Sequence, residues 1–152
     1  MRNMFRSTKN KDGFTLIEVL LSVSLIAVMA GISIPFYQTF QNRNNLDVAS
    51  NTIAQTARRA QLLAQANDSD SVWSIYIEPG YLTLFKGDTT STRDTEYDER
   101  FEISSGITAT GDLMIVFDKV TGKPDNAKTI ILTSTTNETR TISINTKGII
   151  EY

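Results

Sequence analysis

The 152-residue chain contains no cysteine and no histidine. No disulfide can staple it, and thiolate nucleophiles, imidazole acid–base catalysis and the common zinc sites are excluded. Proline occurs three times, at Pro35, Pro79 and Pro124, and tryptophan once, at Trp73. Long stretches are thus free of the residue that most often breaks a helix or a central strand. Basic residues are scarce where they would be needed to hold a phosphate backbone. Four of the 15, Arg2, Arg6, Lys9 and Lys11, lie in Met1–Gly13 against Asp12 alone, which leaves the rest of the chain acidic. Nucleic acid is therefore an unlikely partner, because phosphate contacts need clustered Lys and Arg.

What is present begins with an apolar run. FTLIEVLLSVSLIAVMAGISI, Phe14 to Ile34, has Glu18 as its one charge. A helix of that length spans about 30 Å, the thickness of a bilayer's hydrocarbon core. The basic flank before it reads as a cytoplasmic side. Glu18 is the anomaly, since a carboxylate deep in a bilayer costs roughly 2.5–3.5 kcal/mol on insertion scales and calls for a partner. Pro35 then predicts a kink. From Gln38 to Ala66 neither Gly nor Pro occurs. Leu46, Ala49, Ile53, Ala57, Ala60 and Leu63 recur at helical spacing, opposite Asn45, Ser50, Gln55, Arg58, Arg59 and Gln65. Asn67–Asp70 ends the helix.

Beyond it the period becomes two. VWSIYIE (72–78) and YLTLFK (81–86) flank Pro79-Gly80, FEI (101–103) is a weaker strand, and LMIVFD (113–118), TIILTS (129–134), TRTISIN (139–145) and IIEY (149–152) follow. Short turn-rich connections imply antiparallel pairing. The fold class expected is α+β, a long helix packed on an antiparallel sheet. Tyr76, Leu82, Leu84, Ile130, Leu132, Ile142 and Ile144 are the candidate buried layer.

Between the early and late strands, GDTTSTRDTEYDER (87–100) is rich in acid. It reads as a solvated loop. The sharper reading is a calcium site with Asp94, Glu96 and Asp98 converging. An EF-hand is excluded, because its sixth and twelfth positions would be Glu99 and Ser105 rather than Gly and Glu. VTGKP is no phosphate loop, since Phe117 stands where the first glycine belongs and Pro124 follows Lys123. The glycosylation patterns at Asn67 and Asn137 read as a helix end and a hairpin turn. Paired carboxylates of a glycosidase lack any pocket in the pattern, so the expectation is no enzyme.

The basic leader, Gly13, Phe14-Thr15-Leu16-Ile17-Glu18 and the apolar helix with Gly31 and Pro35 resemble the type IV pilin family, which includes the pseudopilins of type II secretion. The tail from IVFDKVTGKP to GIIEY resembles the carboxy-terminal part of H-type minor pseudopilins and related minor pilins. The resemblance implies cleavage after Gly13 by a prepilin peptidase and methylation of the new amine on Phe14. It implies assembly through Glu18, Gly31 and Pro35, with Glu18 facing the terminal amine of a neighbouring subunit. Implied partners are other pilin or pseudopilin subunits, the peptidase, an inner-membrane assembly platform and membrane lipid. The location implied is the inner membrane, crossed once, with the carboxy-terminal domain outside the cytoplasm and later in a filament. The organisation expected is a leader at 1–13, a transmembrane or filament-core helix at 14–35, an amphipathic helix at 36–66 and a β domain at 67–152 with the acidic loop at 87–100. A major pilin, a monomeric signal-anchored binding module and a secreted enzyme cut after Ala30 are the alternatives.

Overall fold

The computed structural model describes residues 13–66 and 70–152, apart from the side chains of residues 32–36. The basic leader up to Asp12 and the Asn67 glycosylation pattern lie outside the described residues. The molecule divides into two compact units, one closing at Tyr37 and the other running from Gln38 to Tyr152. One helix, α1 (Leu16–Gln65), contributes to both.

In the first unit the described side chains of α1 are exposed on every side, as an apolar run with no polar face requires. Leu16, Ile17, Leu20, Leu25, Ile26 and Met29 are all open to the surroundings. The serines of this run satisfy themselves locally: Ser22 Oγ donates to the Glu18 carbonyl at 2.8 Å and Ser24 Oγ to that of Leu21 at 2.9 Å. Such back-bonding lets a hydroxyl sit in apolar surroundings without an unmet donor. Among the described residues, no helix is long and apolar enough to cross a membrane. The apolar run described with its side chains stops at Gly31, short of the Ile34 to which the sequence carries it.

In the second unit α1 buries Leu46, Ala49, Ile53, Ala57, Ala60 and Ala64. Five of the six recur as the sequence spacing predicts; Leu63 is only partly covered and Ala64 takes its place. The polar side is narrower than expected, because Ser50 is buried with the apolar row. Alanine at four of these positions removes the bulk that would hold a sheet away.

Among the described residues eight strands follow: β1 (Trp73–Glu78), β2 (Tyr81–Lys86), β3 (Asp94–Glu102), β4 (Ile107–Gly111), β5 (Met114–Phe117), β6 (Lys128–Ser134), β7 (Thr139–Ile144) and β8 (Ile150–Glu151). They form two four-stranded sheets rather than one, ordered β3-β2-β1-β5 and β4-β6-β7-β8, and every pairing is antiparallel. Ile75 lies between Leu84 and Ile115, Ile77 faces Leu82, and Ile130 faces Ile142, so the inner faces are aliphatic ladders. Tyr76 is a correction. It is half-buried on the other face, while Trp73, Ile75 and Ile77 turn inward. In WSIYIE only that odd-numbered set is wholly apolar, and a shift of one residue exchanges the faces.

The chain leaves the first sheet after β3, enters the second at β4 and returns for β5. Gly111 makes the corner. Its φ is +93°, and a Cβ there would collide with the Thr129 carbonyl. The far end of α1 is tied to the sheet loops through its main chain and two glutamines. Val120 N donates to the Ala64 carbonyl at 2.8 Å, and Gln61 Nε2 donates to the carbonyls of Gly122 and Gly148, each at 3.0 Å. Gln65 Nε2 donates to the Thr121 carbonyl at 3.4 Å, and Gly122, the glycine of VTGKP, has a φ of +59° and leaves room for the Gln65 side chain that a Cβ would strike.

Candidate functional site

Three of the residues singled out by the sequence, Gly13, Phe14 and Glu18, lie at the start of α1. Gly13 has nothing within 4 Å of the position a Cβ would take, and Phe14 is 83% exposed. Among the described residues nothing shields the Gly13–Phe14 peptide bond. Thr15 then starts the helix as its N-cap. Its carbonyl accepts from Glu18 N at 3.1 Å and from Val19 N at 3.2 Å, while its Oγ1 accepts from Glu18 N at 3.3 Å. Glu18 thereby occupies the third helical position of a T-x-x-E pattern, with its own N–H capped by the Thr15 side chain.

That geometry adds a role for Glu18 which the sequence reading missed, although the Thr15-to-Glu18 spacing signals it. Its carboxylate sits in the first turn, where the partial positive charge of the helix N-terminus favours an anion. Among the described residues Glu18 forms no salt bridge. It is a carboxylate set into an apolar surface without a cation of its own. Further along, Gly31 leaves open space beside the helix, and Pro35 lies within α1 with its side chain outside the described residues.

The acidic segment does not form the loop expected at 87–100. Residues 94–102 are β3, so Asp94, Glu96 and Asp98 lie on a strand. Alternate strand residues are about 6.6 Å apart, too far for three of them to share one ion at calcium–oxygen distances of about 2.3–2.6 Å. Cations of the chain already occupy two of them: Arg93 Nε is 2.9 Å from Asp98 and Lys86 Nζ is 4.0 Å from Asp94. Among the described residues no group of three or more potential ligands could hold a metal. Neighbouring Glu99 receives Arg59 of α1 at 2.6 Å, so the strand's charges also fasten it to the helix. Elsewhere, the Lys128 side chain hydrogen-bonded to Asp125 holds that carboxyl below the usual range, aided by the backbone N–H of Asn126.

Two comparisons bear on these features. Residues 8–34 match the family model described as the prokaryotic N-terminal methylation motif. The fold is similar to that of the minor pseudopilin EpsH from the type 2 secretion system of Vibrio cholerae, with a TM-score of 0.53 at 11% identity, covering 70% of this chain and 94% of that one. The resemblance read from the leader, Gly13, Phe14 and Glu18 therefore extends to the fold: a long N-terminal helix followed by antiparallel sheets.

Proposed function

We propose that the chain is a non-enzymatic structural subunit of a type IV pilus-like filament, either a minor pilin or a minor pseudopilin of type II secretion. A prepilin peptidase cuts after Gly13, the amine of Phe14 is methylated, and α1 from Phe14 to Pro35 first anchors the protein in the inner membrane and then packs in the filament core. The carrying observation is the first unit itself: a capped helix, apolar on every described side, whose large side chains from Phe14 to Met29 are more than half exposed. Such a surface is stable only when something apolar covers it. Lipid can do so before assembly and sister helices afterwards. The likeness in fold to a minor pseudopilin supports a minor subunit over a major one.

Glu18 completes the reading. In an apolar medium an unpaired carboxylate is costly and a cation is strongly attracted to it. Cleavage after Gly13 creates such a cation at the start of every subunit. Mass spectrometry of the mature protein tests the proposal: N-methyl-Phe14 is the expected terminus, whereas a terminus at Gly31 or an intact Met1 overturns it.

A further inference from the structure

The two sheets leave one strand edge open beside a cleft. Sheet edges are ordinarily guarded by charge, proline or shortness. In β3 (DTEYDERFE) six of nine residues are charged, β5 is bridged at Phe117 by Pro124, and β8 has two residues. The edge strand β4, ITATG, has none of these guards. Its free main-chain groups can be assigned. Asp112 N donates to Thr129 O at 2.9 Å in register with the β4–β6 ladder, so Thr108 and Thr110 point their peptide groups at β6. Ala109 and Gly111 therefore point theirs away, and among the described residues no strand pairs with that side. Alongside lies a cleft of about 900 Å³ whose lining includes buried Ile77 and Leu132, partly buried Leu113 and Ala109, and the more exposed Tyr81 and Glu102.

We infer that β4 captures an extended segment of a partner protein by strand addition. The segment has apolar side chains at alternate positions, which enter the cleft, and a Lys or Arg that meets Glu102. Main-chain pairing with Ala109 and Gly111 supplies affinity, and the cleft supplies specificity through every second side chain. The occupant's charge follows from the rim. Arg100 binds Glu78 at 2.7 Å and stacks on the Tyr81 ring at 3.9 Å, while Glu102 is exposed and takes part in no ion pair among the described residues. This pairing uses the second unit alone and does not depend on the filament reading.

The test uses the full chain in detergent micelles and the synthetic peptide acetyl-Val-Thr-Val-Lys-Val-Thr-amide. Bound peptide is expected to slow amide exchange at Ala109 and Gly111 by about tenfold, the scale of one net hydrogen bond. Ala109→Pro removes an outward N–H but no β4–β6 bond, and should abolish binding with the β6 and β7 amide signals unmoved. Glu102→Gln should weaken binding of this peptide but not of its Lys→Gln counterpart. Unchanged exchange at saturating peptide overturns the inference, as does equal binding by wild type and both variants. Protection of β4 that rises with protein concentration and needs no peptide also overturns it, in favour of a second copy on the edge.

Discussion

A single carboxylate shows how two roles converge on one position. Glu18 stands third after Thr15 in the first turn, so its carboxylate complements the positive end of the helix dipole in addition to any charge pairing with a neighbour. Two substitutions separate the charge from the cap. Glu18→Gln keeps the Thr15 cap and removes the charge. Membrane insertion and cleavage should persist, while incorporation into filaments should fall by more than about tenfold, because removing one member of a buried pair costs about 3–5 kcal/mol. Pull-down of tagged subunits with the filament measures this, and normal incorporation would end the pairing argument. Thr15→Ala keeps the charge and removes the cap. It should cost about 1 kcal/mol of helix stability and show as faster amide exchange at Leu16–Val19, with assembly far less affected. Glu18's charge is plain in the sequence. Its place in the first turn also stands there as T-x-x-E, a pattern masked by the louder apolar run.

At the scale of elements, α1 is the best-forecast part of the molecule and β3 and β4 the worst. The row Leu46, Ala49, Ile53, Ala57 and Ala60 is buried because the helical period is local and needs no partner to be recognised. Ile53→Ala should therefore destabilise the second unit by about 2–5 kcal/mol in a chemical denaturation series, since Ile53 is wholly buried in the core. By contrast, Arg140→Ala, which loses the 2.9 Å pair with exposed Asp47, should cost no more than about 1 kcal/mol. Residues 94–100 of β3 read as a loop because they are nearly all polar, and only Phe101 and Glu102 at its end fall in the weak strand expected at 101–103. The segment is a strand because β2 offers a free edge and Arg59 offers Glu99 a cation, and neither is visible locally. β4 carries only Ile107 as a large apolar residue, and its pairing with β6 spans the whole of β5 in sequence.

For the whole molecule, the division after Tyr37 separates two kinds of stability. The second unit holds the core in which Leu46, Ile75, Leu84, Ile115, Ile130 and Ile142 are fully buried, whereas the large apolar residues of the first unit stand exposed among the described residues. A chain beginning at Gln38 should accordingly fold alone, with one cooperative thermal transition and no need of detergent, while the full chain should require lipid, detergent or other subunits. Aggregation of the shorter chain would show that the first unit contributes to its fold.

The sequence alone determined whatever rests on short-range pattern. That comprises the apolar helix and its carboxylate, the amphipathic continuation, the hairpins around Pro79-Gly80 and Asn137, and the glycine–phenylalanine junction that carries the resemblance to pilins. Tertiary structure alone decided how eight strands divide into two sheets, that the chain crosses between them at Gly111, that Trp73 rather than Tyr76 faces inward, and that β4 is left open. The physical reason is separation along the chain. A helix face is set by neighbours three and four residues away, but a strand's partner, its buried side and its exposed edge are set by residues tens of positions distant, and these meet only when the core has formed.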